Sequence, residues 1–325
     1  SYGTDVLVDL RGLTGLVYLR LHDLECKLYL PESDSLSVLI MIRLRLSNCD
    51  VLGMALTHCT RLEKLAIQRT DLRNCLLDLS NMKNLIFLHM YVVQMSSSCC
   101  DRFGRTLTNC TKLRTLYIDQ TDLQDCVLDF SNMTELTVLD MSLVSPSSGG
   151  CNILGDTLRH CTKMKRFIIH NTDLYNCVLD FSDMIELKVL DMSMVTLSSN
   201  CCDVIGSTLT HCAKLQKLML YHINLHNCLL DLSNMTDLRC LDIRGLTLSS
   251  NCCKVLCRTL THCTQLKDLT ICSTDLHNCP LDVSNMTKPS IYMSELTLLT
   301  CKLGSTLACL HITVYRIENT DLSNC

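Results

Sequence analysis

"CVLDFSNMTELTVLDM", from Cys126 to Met141, returns fifty-one residues later as "CVLDFSDMIELKVLDM", from Cys177 to Met192. A repeat this close has to be read first, because self-similarity at a fixed period changes how every other signal is interpreted. Following it outward, "TRLEKL" at Thr60, "TKLRTL" at Thr111, "TKMKRF" at Thr162, "AKLQKL" at Ala213 and "TQLKDL" at Thr264 stand at the same interval. Within each unit, ladder residues fall twice at i, i+3, i+5, i+8 and i+10. In "KLRTLYIDQTDL" they are Leu113, Leu116, Ile118, Thr121 and Leu123; in "ELKVLDMSMVTL" they are Leu187, Leu190, Met192, Val195 and Leu197. This is the L-x-x-L-x-L-x-x-N/C-x-L line of a leucine-rich repeat, with Thr at the ladder position of one coil and Val or Leu in the next.

The pattern predicts an α/β leucine-rich-repeat solenoid, a horseshoe with a parallel β-sheet on its concave face and short helices and 3₁₀ turns on its convex face. Short coils begin at Leu16, Leu62, Leu113, Met164, Leu215, Leu266 and Ile312, and long ones at Leu36, Leu85, Leu136, Leu187 and Leu238, with a degenerate one near Ile291. They alternate between 23 and 28 residues and make residues 1–325 a single domain of about thirteen coils. A short coil returns through "LDFSNM", too few residues for a full helix and suited to a 3₁₀ turn opened by an Asp or Ser side chain. A long coil returns through stretches such as "CCDVIGSTLTHC", where Ile205, Leu209 and Cys212 keep helical spacing. The chain opens on Ser1 and mid-coil, which reads as a piece of something longer.

The repeated cysteines and aspartates pose a choice between chemistry and carpentry. Cys75, Cys126, Cys177, Cys228 and Cys279 occupy one position of successive short coils, as do Asp78, Asp129, Asp180, Asp231 and Asp282. Strands on adjacent coils lie about 4.8 Å apart, so equivalent residues two coils apart are separated by roughly 10 Å. A disulfide needs Cα atoms within about 7 Å, and a zinc ion needs sulfurs about 2.3 Å away, so a same-column ladder forms neither. The columns read as buried thiols and turn-capping carboxylates. The His column, His58, His160, His211 and His262, fails as a metal site on the same distance argument.

An odd number of cysteines, 25, and the absence of C-x-x-C suit reduced core thiols and a cytoplasmic location. Against this, the vicinal pairs Cys99-Cys100, Cys201-Cys202 and Cys252-Cys253 offer partners to a neighbouring coil, and Asn109, Asn132, Asn234 and Asn285 begin N-x-T sequons that arise inside the repeat. No P-loop, nucleophile elbow, zinc-protease or dinucleotide motif occurs, so no enzyme, cofactor or metal is called for. A net charge of −4 gives no basic footprint for nucleic acid, and the longest uncharged apolar run, "SLSVLIMI", is too short to span a membrane.

Function is therefore expected on the inner strand face. With i+3 and i+5 in the core, i+2, i+4 and i+6 point outward. Those columns place Tyr117, Asp140, Ile168, His170, Asp191, Met219, Tyr221 and Asp242 on one strip, and large apolar side chains there, Phe87 included, look like an interface for a protein partner. The competing reading is a solvated ladder in which Arg166 and Lys217 neutralise Asp191 and Asp242.

The line "TLTHCTQLKDLTICSTDL", Thr259 to Leu276, a helix ending in Cys followed by L-x-x-L-x-I, resembles the ribonuclease-inhibitor-like repeats in the sensor region of NOD-like innate immune receptors. That resemblance implies a ligand-sensing and autoinhibitory domain whose partner is a protein ligand, including one of microbial origin, or another domain of the same receptor. The 23-residue coil departs from that family's alternation. Two alternatives remain: the substrate-recognition arm of an F-box-type ubiquitin ligase, and a secreted leucine-rich-repeat recognition receptor.

Overall fold

The computed structural model describes residues 6–31, 34–47, 49–123, 126–144, 148–175, 177–226, 228–272, 285–286, 290–294 and 314–318. Leu276, Cys279, Asp282 and Ile312, named above, lie outside them. The chain divides into two compact units, Ser1–Cys161 and Thr162–Cys325.

In the first unit the strands Tyr18–His22, Val38–Ile42, Lys64–Gln68, Phe87–Tyr91, Thr115–Asp119 and Val138–Asp140 form one parallel sheet in chain order. In the second, Arg166–Ile168, Val189–Asp191, Lys217–Met219, Cys240–Asp242, Asp268–Cys272, Ser290–Ser294 and Val314–Glu318 do the same. The expected leucine-rich-repeat solenoid is what the chain builds. Register is fixed by the ladder leucines: Leu116 pairs with Leu88 and Leu139, and all three are fully buried. A one-residue slip would send each of them to solvent.

Among the described residues, α-helices appear only in the long coils, at Cys49–Leu56, Ser97–Leu107, Ser148–Leu158, Ser199–Thr208 and Ser250–Leu260. The short coils differ from the 3₁₀ expectation. Their returns are single turns, closed by bonds such as Met133 N to Phe130 O at 2.9 Å, and the 3₁₀ segment among the described residues, Leu209–His211, ends a long-coil helix instead. The aspartate column caps these turns: Asp78, Asp129, Asp180 and Asp231 each accept the backbone N–H two residues on, at 2.8 to 2.9 Å.

Coils are stitched together on the outer side by a threonine column. Thr106, Thr157, Thr208 and Thr259 donate their hydroxyls back to the helix carbonyl four residues earlier, at 2.7 to 2.9 Å. The same oxygens accept the N–H of Leu79, Phe130, Phe181 and Leu232 at 3.0 to 3.2 Å. Glycine makes this approach possible: a Cβ on Gly104 would stand 2.5 Å from Val127 O, and one on Gly53 would stand 2.4 Å from Leu76 O. A residue that costs helix stability is tolerated because the next coil's backbone lies against it.

After nine strands of the main sheet the chain passes, within three residues, through a non-glycine residue in the left-handed region. Asp23, Arg43, Arg69, Val92, Gln120 and Leu143 in the first unit, and Asn171, Met194 and His222 in the second, have φ between 48° and 58°. Their N–H groups continue the ladder, as in Arg69 N to Tyr91 O at 2.7 Å, while the chain swings aside. In the first unit it then enters a lateral parallel sheet of Val6–Asp9, Glu25–Tyr29, Arg45–Leu46, Asp71–Leu72 and Gln94–Met95.

Candidate functional site

Strand parity leaves the expected strip half-buried on the outer side of the strands, with Asp242 the exception. Thr115–Asp119 alternates half-buried and buried positions, with Leu116 and Ile118 inside and Tyr117 outside. Ile168, His170, Asp191, Met219 and Tyr221 are likewise half-buried on the outer side of the sheet, but Asp242 is only 7% exposed.

In the first unit Tyr117 belongs to a ring cluster. Its centroid lies 5.9 Å from Phe87 and 5.4 Å from His89, and His89 lies 6.4 Å from Tyr91. Edge-to-face contacts of this kind hold aromatic side chains rigid before any ligand arrives. Burial among the rings depresses the His89 pKa, against the pull of Asp140, so the imidazole is neutral at physiological pH. Its Nδ1 meets Gln68 Nε2 at 3.0 Å, and because a side-chain amide nitrogen only donates, Nδ1 is the acceptor. In the second unit Tyr221 is the hub. Its hydroxyl reaches His170 Nδ1 at 3.3 Å across one full repeat, and the Arg244 guanidinium lies 5.1 Å from its ring centroid. His89 and Tyr91 were open to the same column reading that found His170 and Tyr221.

The aspartates of the strip have a local duty. Asp140, Asp191 and Asp242 each accept the N–H two residues on, from Ser142, Ser193 and Arg244 at 3.0 to 3.2 Å. The strands they close are three residues long, where those ending in Tyr91 or Ile42 run five, because that N–H is turned from the ladder to the side chain. Asp242 is held by Arg244 through Nε to Oδ1 at 2.9 Å and Nη2 to Oδ2 at 2.7 Å. Lys217 is not its ion-pair partner, and Arg166 does not pair with Asp191 among the described residues. Register explains this: Asp191 faces Ile168 and Met219, while Arg166 faces Val189.

Among the described residues, the repeated cysteines and histidines sit in packing and capping positions. Burial pushes the thiols of Cys110, Cys161, Cys212, Cys257 and Cys263 up to about 12, far from the thiolate a nucleophile needs. His211 and His262 donate Nδ1–H to the carbonyls of Thr208 and Thr259 at 3.1 and 3.2 Å, capping helix ends. No group of three or more His, Cys, Asp or Glu among the described residues could hold a metal ion, and no helix there is long and apolar enough to cross a membrane.

One cysteine departs from the reduced reading: Cys253, on the helix Ser250–Leu260, is disulfide-bonded. The distance argument was sound for one column and silent about two. A long-coil helix cysteine lies against the return of the next coil, and Cys100 and Cys99 contribute to raising the Cys126 thiol above its burial shift, as Cys202 and Cys252 do for Cys228. A second apolar feature was also missed. Leu76, Val127, Val178 and Leu229, one position after the cysteine column, are 40 to 50% exposed on the return turns.

These elements define a leucine-rich-repeat protein. No family model matches the chain, and no curated protein matches it. Among solved structures it is similar to the functional domain of InlJ from Listeria monocytogenes, described as including a cysteine ladder (TM-score 0.54, 19% identity, 89% of this chain and 70% of that one). It is also similar to the plant peptide hormone receptor RGFR1 in complex with RGF2 (0.50, 14%, 99% and 59%). A third is the internalin inlF from Listeria monocytogenes str. 4b F2365 (0.50, 13%, 96% and 88%). At these identities the likeness is one of fold.

Proposed function

We propose that the chain is the non-catalytic, protein-binding region of a leucine-rich-repeat recognition receptor, and that each unit seats its partner on the outward strand face. The observation that carries this is the pair of pre-packed aromatic clusters, Phe87, His89, Tyr91 and Tyr117 in one unit and His170 and Tyr221 under Arg244 in the other. Aromatic and arginine side chains held rigid on an open sheet face are the composition of interface anchors. The neighbours in fold are internalins and a plant receptor structure that holds a peptide hormone, which favours the reading as a secreted or surface-displayed receptor over the NOD-like one. The Cys253 disulfide favours the same compartment, since such bonds persist where the surroundings are oxidising.

The test is a footprint. Peptides selected from a random display library against the full chain are added back, and hydroxyl-radical labelling is followed residue by residue. Protection of Phe87, Tyr117, Met219 or Tyr221 supports the reading; protection confined to the helices or to the Leu76 and Val127 returns overturns it.

A further inference from the structure

The first unit contains a groove beside the strand face, which it meets at Tyr91. It lies in the crease where the left-handed residues Arg43, Arg69, Val92 and Gln120 turn the chain from the main sheet into the lateral sheet, and it has a volume of about 1090 Å³. Four arginines line it, Arg43, Arg45, Arg69 and Arg73, against the carboxylates of Asp23, Glu25 and Asp71. This is a local positive excess in a chain whose net charge is −4.

The arginines are not equivalent. Arg43 is committed to Asp23, with Nε to Oδ1 at 2.7 Å and Nη2 to Oδ2 at 2.9 Å. Arg73 is committed to Asp71 two residues away, with Nε 3.0 and 3.1 Å from the two carboxylate oxygens, and its hydrogen bonds and charge hold that carboxyl below its usual range. Arg45 and Arg69 are exposed and have no carboxylate partner among the described residues. Arg69 is instead steadied by lying 5.6 Å from the Tyr91 ring centroid, a contact that uses the face of the guanidinium and none of its N–H donors. Two guanidinium forks from successive coils, one pre-positioned by a ring, match carboxylates bidentately. Gln94 and Gln120 complete the lining with neutral donors and acceptors suited to a peptide backbone.

We propose that this groove binds an acidic peptide segment in extended form, its carboxylates taken by Arg45 and Arg69. The site goes beyond the strand-face reading and can fail without it, since of the ring cluster only Tyr91 lines the groove and Arg45 lies in the lateral sheet. The experiment is fluorescence anisotropy of a fluorescein-labelled hexaglutamate peptide against the full chain, with hexalysine as the sign control. Wild type should bind hexaglutamate and not hexalysine. The double variant Arg45→Gln with Arg69→Gln should weaken binding more than tenfold at an unchanged melting temperature, both side chains being exposed, while the double Lys variant should lose less because it keeps charge without the fork. Tyr117→Ala should bind the peptide like wild type. No binding by wild type, equal binding by the double Gln variant, or displacement of the peptide by equimolar inorganic phosphate would each overturn the proposal, the last by making the groove a phosphate site.

Discussion

Replacing Thr208 by Val asks whether the repeated hydroxyl is what stitches one coil to the next. The side chains are nearly the same size, so packing is preserved and the change is one of hydrogen bonding. Wild type gives the hydroxyl two duties: it donates to Val204 O at 2.8 Å and accepts from Phe181 N at 3.2 Å, in a region where Phe181 is fully buried. The Val204 carbonyl keeps its helical bond, so its loss is minor. The Phe181 N–H is left without an acceptor, and a buried donor in that state costs about 1–3 kcal/mol. With the extra methyl returning about 0.8 kcal/mol, the net loss is roughly 0.2–2 kcal/mol. For a unit of this size that lowers Tm by up to about 8 °C. Calorimetry gives the shift, and amide exchange at Phe181 should accelerate while that at Leu218 in the adjoining strand does not. Thr208→Ser keeps the hydroxyl and should lose less. If Val and Ser variants melt together, the methyl and not the hydroxyl was the contribution, and the stitching account is wrong.

Gly104→Ala should destabilise by about 1–3 kcal/mol in urea titration although alanine favours helix, because its Cβ would stand 2.5 Å from Val127 O. Val92→Asn should raise stability by about 1 kcal/mol, since Val92 is a β-branched residue at φ 52° and Asn tolerates that region; an unchanged midpoint would mean that lost packing offsets the relief. The buried thiols are raised in the fold from about 9 to about 12, so they stay protonated there while the unfolded chain ionises. The stability they contribute is therefore full below about pH 9 and is lost as pH rises towards 12, at up to about 1.4 kcal/mol per thiol per pH unit, so the midpoint should fall steeply above pH 9 and be flat from 6 to 8. Unfolding without reductant followed by alkylation should modify Cys110, Cys126, Cys212 and Cys263 but leave Cys253 unmodified in the peptide map.

Much of the fold was legible because its determinants are local and repeated. A period of fifty-one with Leu, Leu and Ile or Met at fixed offsets dictates strand parity, and parity alone put Tyr117 and Tyr221 on the outer face. Asp129 could be read as a turn cap because its partner, Ser131, is two residues away. What escaped the sequence depended on neighbours in other coils. Thr208 is an ordinary helix residue until Phe181, twenty-seven positions earlier, is brought beneath it. The ion pairing of Asp242 fell to Arg244 and not to Lys217, because register faces Asp242 with Met219 and Thr270. The arginine groove was invisible for a similar reason: Arg45 and Arg69 belong to different coils and different positions in the repeat, and only the left-handed turns at Arg43 and Arg69 bring their strand ends to one crease.

The central claim is that the repeated cysteine and aspartate columns hold the fold while binding belongs to the outward strand residues, so the two should separate under mutation. The direct measurement pairs calorimetry with titration of a display-selected peptide on two variants. Tyr117→Ala with Tyr221→Ala should keep Tm within about 2–4 °C and weaken binding about thirtyfold or more, the loss of a desolvated anchor worth about 2 kcal/mol. Asp129→Ala, which forfeits the 2.8 Å bond from Ser131 N, should lower Tm and leave affinity unchanged. Full affinity in the double Tyr variant would contradict the account and shift attention to the exposed Leu76, Val127, Val178 and Leu229 column.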